Sequence, residues 1–275
     1  MPRPLIVANW KMHKTVAEAV RALDALRARE DLLQAVELVV AAPATALDRA
    51  ARAVAGAAIA LAAQNCHWEP SGAYTGELSV PQLADVGCTY GLVGHSERRQ
   101  GFGETNEQVR RKTAALLAAG LRPIVCLGET FVERRAGKTE QVVAEQASIA
   151  LQGLTDAQVS RVVIAYEPVW AIGTGKTASP DEAATVHRFL RRLIAHDHGD
   201  AALAVPILYG GSVSPETVEG LLAQPDISGA LVGGASLTVS TLLAILERAA
   251  RAGVRGAEPS LSADAHSRFT IRSIV

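Results

Sequence analysis

Cysteine is scarce in this chain of 275 residues, and so are lysine, aromatic side chains, net charge and long apolar runs. The three cysteines, Cys66, Cys88 and Cys126, are far apart and odd in number, with no C-x-x-C spacing. That excludes a disulfide framework and removes the usual metal-binding pattern, so no metal is expected. A reduced, cytoplasmic setting is the simplest reading. A formal net charge of -1 leaves no basic face for nucleic acid. Hydrophobic residues make up 49%, yet no run approaches the ~20 apolar residues of a membrane span. Leu5-Ile6-Val7-Ala8 is too short for a signal-peptide core and runs into the polar Asn9 and Lys11. Neither a nucleic-acid nor a membrane partner is expected. Only five of the 27 basic residues are lysine, and two of them, Lys11 and Lys176, fall in the polar stretches discussed below.

What the chain does have is repetition. Short apolar runs recur at Leu5–Ala8, Leu38–Ala42, Ile59–Ala63, Tyr90–Val93, Ile124–Leu127, Val162–Ala165, Ile207–Tyr209 and Ala230–Val232. Between them lie segments with apolar residues at helical spacing, such as Val16-Ala19-Val20-Leu23-Leu26 and Val109-Thr113-Leu116-Leu117. Continuous apolar strands alternating with helices predict a parallel sheet covered on both faces. Eight such units in about 250 residues predict a single α/β domain, a closed (β/α)8 TIM barrel over residues 1–252. An open doubly wound sheet would need a glycine fingerprint after the first strand. Asn9-Trp10-Lys11-Met12-His13 has no glycine. Gly253 to Val275 falls outside the repeat and reads as a C-terminal appendage, with Phe269–Arg272 as a stray strand candidate.

In a barrel of this kind the active site gathers where strands run into their following loops. Asn9 and Lys11 follow strand one, Gln64 and Asn65 strand three, His95 and Glu97 strand four. Glu129 follows strand five, Glu167 strand six, Gly210-Gly211-Ser212 strand seven, and Gly233-Gly234 strand eight. Polar or glycine-rich residues thus converge on one rim from seven strands of eight. The richest stretch is Tyr166-Glu167-Pro168-Val169-Trp170-Ala171-Ile172-Gly173-Thr174-Gly175-Lys176-Thr177-Ala178. It offers a carboxylate at a strand end, a proline that stops the strand, and a glycine tip that can hinge and present amides to an anion. A nucleotide P-loop is excluded, because its first glycine would fall at Trp170.

These motifs, taken in order, resemble the triosephosphate isomerase family from Ala8 to about Leu237. The resemblance rests on Ala8-Asn9-Trp10-Lys11, Gly72-Ala73-Tyr74-Thr75-Gly76-Glu77, Gly94-His95-Ser96-Glu97-Arg98-Arg99 and Cys126-Leu127-Gly128-Glu129. It is carried further by the Glu167 stretch, Tyr209-Gly210-Gly211-Ser212 and Val232-Gly233-Gly234-Ala235-Ser236. It implies an isomerase that interconverts dihydroxyacetone phosphate and glyceraldehyde 3-phosphate through an enediolate, with no cofactor. It implies Glu167 as the base, a neutral His95 as the electrophile and Lys11 as the positive charge on phosphate and enediolate. Asn9 would orient an oxygen or Lys11. Glu97 would hold Lys11 or take part in proton transfer. Backbone amides of Gly173, Ser212, Gly233 and Gly234 would grip the phosphate. Glu129 would tether the lid through Trp170, or form a surface ion pair.

The resemblance also implies a homodimer, with the loop around Thr75 inserted near Asn9, Lys11 and His95 of the other copy. Cys126 reads as packing, and Cys66-His67-Trp68-Glu69-Pro70 acquires no role. Two other readings stand beside this one: a barrel enzyme for a different phosphorylated sugar, and a silent member kept as a binding scaffold. Either would be free to lose one of Asn9, Lys11, His95 and Glu167, and all four are present.

Overall fold

The computed structural model describes residues 3–171 and 178–253. Eight parallel strands close into a barrel in chain order. They are β1 (Leu5–Asn9), β2 (Glu37–Ala41), β3 (Ile59–Ala63), β4 (Tyr90–Val93), β5 (Arg122–Leu127), β6 (Val163–Tyr166), β7 (Ile207–Tyr209) and β8 (Gly229–Val232). The seam is made by β1 and β8, with Leu5 opposite Gly229 and Ala8 opposite Val232.

Strand periodicity divides the apolar residues into two cores. Leu5, Val7, Val39, Leu92, Ile124, Val163 and Leu208 fill the barrel interior. Their neighbours Ile6, Ala8, Leu38, Val40, Val93, Val125 and Ile164 face the surrounding helices. Continuous apolar runs are required because both faces of each strand are buried.

The predicted strands are present with small shifts. β6 begins at Val163 rather than Val162, because the Val162 amide still donates to Val159 O in the preceding turn. It extends to Tyr166, which pairs with both Leu127 and Tyr209.

Several helices start where a Ser or Thr precedes a Glu or Gln by three residues. Thr105 and Gln108 cap helix Asn106–Ala118 reciprocally, and Ser179 and Glu182 cap helix Pro180–His198. Each box satisfies two amides that the first turn leaves unpaired. In helix Val16–Arg27 the buried stripe is Ala19, Ala22, Leu23 and Leu26. Val16, placed on that stripe by spacing, stands exposed at the first position. The stripe Val109, Thr113, Leu116 and Leu117 is buried as its spacing predicts. Among the described residues no helix is long and apolar enough to cross a membrane. The lid tip Gly173-Thr174-Gly175 and the tail beyond Gly253 lie outside the described residues.

Candidate active site

Glu167 follows β6 directly. Its amide donates to Leu127 O at 2.7 Å, so the sheet ladder holds its backbone one residue past the strand. The chain approaches β5 closely here: a Cβ on Gly128 would lie 1.8 Å from Glu167 O. Glycine is therefore the residue that fits at 128. The Glu167 side chain is 2% exposed and turns towards the end of β4. Its Oε1 lies 3.0 Å from His95 Nε2, and its Oε2 accepts from the Ser96 amide at 2.9 Å. Burial raises the Glu167 pKa above the ordinary carboxylate value, against the opposing pull of His95, the Ser96 amide and Lys11.

His95 is the N-cap of helix Ser96–Phe102. The Glu97 amide donates to its Nδ1 at 3.3 Å. With Nδ1 accepting there, Nε2 is the ring nitrogen left to donate, and it is the one that faces Glu167. Three buried or half-buried side chains steady the turn that presents it. Glu104 accepts from the Gly94 amide at 3.2 Å, and Arg99 Nε donates to Gly94 O at 2.7 Å. Lys112 in turn holds Glu104 and donates to Asn65 Oδ1 at 2.8 Å. Sequence reasoning missed Glu104, Arg99 and Lys112 as supports. Their partners lie on other turns and strands, and the one available signal was the scarcity of lysine.

Lys11 Nζ reaches across the rim to Glu97 at 2.5 Å. Asn9 Oδ1 accepts from the Lys11 amide at 2.9 Å. A Cβ placed on Gly233 would come within 3.1 Å of Lys11 Cε. The lysine thus lies between Glu97 and the glycine turn after β8. That turn is a single 3-10 turn, Gly234–Ser236, capped by Gly233. Ser236 Oγ donates to Gly233 O at 2.7 Å and so stiffens it. Ser212 Oγ donates to Ala171 O at 2.8 Å, which ties the loop after β7 to the one after β6. Asn9, Lys11, His95, Glu97, Glu167 and Gly233 therefore meet on one rim, with Gly234 and Ser212 on the loops beside them. Gly173 lies outside the described residues.

Glu129 departs from the surface ion-pair reading. It is fully buried at the end of β5. It accepts from Trp170 Nε1 at 2.8 Å and from the Tyr166 hydroxyl at 3.1 and 3.2 Å, with Arg134 Nη1 at 3.5 Å. Arg134 also lies over the Trp170 ring at 4.3 Å. Cys126 is buried behind Glu167, and burial pushes its thiol pKa well up, which suits packing rather than nucleophilic attack.

The arrangement can remove a proton with a desolvated carboxylate and polarise an adjacent oxygen with an imidazole N–H. A lysine stands close enough to stabilise the charge that develops. Comparison with known proteins identifies the family. The family model described as Triosephosphate isomerase matches residues 4–249. The triosephosphate isomerase of Pelobacter propionicus is 51% identical over 242 residues, covering 88% of this chain and 96% of that protein. That of Moorella thermoacetica is 50% identical over 246 residues, covering 90% and 98%. That of Chloroflexus aurantiacus is 50% identical over 244 residues, covering 88% and 98%.

Proposed function

The chain belongs to the triosephosphate isomerase family and isomerises triose phosphates, and we propose that Glu167 and His95 divide the proton chemistry between them. Glu167 removes a proton from the carbon next to the carbonyl of dihydroxyacetone phosphate. His95 donates a hydrogen bond from Nε2–H to the oxygen that becomes negative and relays the proton of the neighbouring hydroxyl to that oxygen; the proton held by Glu167 then returns to the carbon that bore the carbonyl, giving D-glyceraldehyde 3-phosphate. The observation that carries this reading is the 3.0 Å contact between Glu167 and Nε2 of His95. That contact leaves no space for a carbon skeleton. On substrate entry the carboxylate therefore leaves the Ser96 amide and turns to the carbon.

Lys11 stabilises the enediolate and the phosphate charge, and Glu97 holds it in place. Amides of Ser212, Gly233 and Gly234, with Gly173 on the lid, receive the phosphate. Asn9 fixes the Lys11 turn. No cofactor takes part. The catalytic unit is the barrel over residues 1–252, with 253–275 an appendage. A cytoplasmic setting is supported by three unpaired, buried thiols.

The working form is a homodimer joined through the loop around Thr75. Apolar side chains stand exposed on the segments that follow β1, β3 and β4: Met12 at 96%, Tyr74 at 45% and, at the end of helix Ser96–Phe102, Phe102 at 74%. Isolated exposed apolar residues are ordinary, but three on segments leaving the same end of the barrel suit an interface. Thr75→Arg is expected to weaken association and activity together. Sedimentation showing an intact, active dimer at low concentration contradicts it.

The main test is a crystal structure with a phosphorylated enediolate mimic bound. Glu167, His95 and Lys11 should all contact it, with its phosphate on the glycine turns. A mimic bound away from these three side chains overturns the assignment. In a coupled isomerase assay Glu167→Asp, which withdraws the carboxylate by about 1 Å, should lower turnover roughly 10²-fold.

A further inference from the structure

We propose that Gln64 is a positioning residue for Lys11, fixing the backbone turn from which the lysine reaches the site. The proposal rests on the reading of Lys11 as the stabilising charge. Lys11 has φ +49°, a region that a residue with a side chain enters at an energetic cost. Left alone, such a turn relaxes, and a relaxed turn sweeps the ammonium away from the rim.

Two side chains hold it. Asn9 Oδ1 accepts from the Lys11 amide on one side. On the other, Gln64 Nε2 donates to Lys11 O at 2.8 Å and to Ala41 O at 2.9 Å. Both neighbours are carbonyl acceptors, so only the amide nitrogen of Gln64, with its two protons, satisfies them. Ala41 is the last residue of β2, and Ala41 O also accepts from the Trp10 amide at 3.1 Å. Gln64 itself sits one residue past β3. The strained turn after β1 is therefore bolted to the ends of β2 and β3. Constellations held this way keep their geometry without reorganising during the reaction.

The far end of Lys11 has little tolerance. Its Nζ meets Glu97, and its Cε passes the bare Cα of Gly233. A shift of the turn must break one of these contacts.

The test is a double-mutant cycle. Gln64→Leu keeps much of the side chain's bulk and removes both donors. It is expected to lower kcat/KM by about 10- to 10²-fold, with the larger part in KM, and to weaken the enediolate mimic by a similar factor in calorimetry. In a Lys11→Met background the same substitution should change mimic affinity by less than about 2-fold, because the residue it positions is gone. A general structural role would instead give the same loss in both backgrounds, and that result overturns the proposal. So does Gln64→Leu with kcat/KM within about 2-fold of the parent. If Lys11→Met alone leaves mimic affinity and turnover intact, the reading of Lys11 has failed, which is a separate outcome. Should Gln64→Leu not fold, Gln64→Asn replaces it. That substitution keeps the donors but leaves the side chain one methylene short of bridging both carbonyls, and the same two results would overturn the proposal.

Discussion

Two buried carboxylates end neighbouring strands, Glu129 after β5 and Glu167 after β6, and their surroundings are opposite. Glu129 is saturated: a phenol, an indole N–H and a guanidinium all face it. Glu167 has one backbone amide and one imidazole nitrogen. Saturation suits a carboxylate that holds the chain together, because each partner stabilises its charge in place. Sparse partnership in a desolvated site suits one that must accept a proton, because little need be broken to free its lone pair. Burial alone does not distinguish a base from a tether; the partners do.

The largest expected effect is on catalysis at Glu167. Glu167→Gln should cost about 10²- to 10⁴-fold in turnover. Its melting temperature near neutral pH should fall by less than that of Glu129→Gln, since removal of a charge disfavoured by burial offsets the one donor left facing a donor. Retained turnover in the coupled assay would dissolve the contrast between the two residues.

Glu129→Gln should behave in the reverse manner. It leaves donors facing donors in a buried site, at a cost of about 1–3 kcal/mol. For a domain of this size that is roughly 2–4 °C in melting temperature per kcal/mol. Turnover should stay within about 10-fold of the parent. If calorimetry shows no loss of stability, or if turnover falls as far as in Glu167→Gln, the tether role is wrong.

The smallest effect is in pH dependence. Folding raises the Glu167 pKa, so the carboxyl contributes stability below its unfolded value of about 4.3, and that contribution is lost as pH rises through the folded value. The stability of Glu167→Gln relative to the parent should therefore rise as pH climbs past the ordinary carboxylate range. Urea unfolding across that range measures it. A Glu167 carboxyl carbon titrating at or below about 4.3 by NMR would contradict the desolvation argument.

Much of the fold and the rim is legible in one dimension. The apolar runs mark all eight strands, because strands buried on both faces leave a continuous signal. The residues just past them mark the rim, since the chain direction of a parallel barrel brings every strand end to the same side. His95, Glu167 and Lys11 can be picked out on that basis. The start of β6 cannot, because Val162 is as apolar as its neighbours and only a turn hydrogen bond excludes it. Nor can the burial of Glu129, since one carboxylate at a strand end looks like another along the chain.

The sequence by itself determined the period of the fold, the place of the rim and the chemical types standing on it. Those follow from local polarity and chain order. The tertiary structure decided which nitrogen of His95 faces Glu167, which of two buried carboxylates is sparsely partnered, and how a strained lysine turn is held. Each of these depends on a hydrogen bond between residues distant in sequence, such as Gln64 to Lys11 or Ser96 to Glu167, or on the fixed direction of one N–H, as at Glu97. Such bonds are set by three-dimensional direction and distance, which pattern and spacing along a chain do not record.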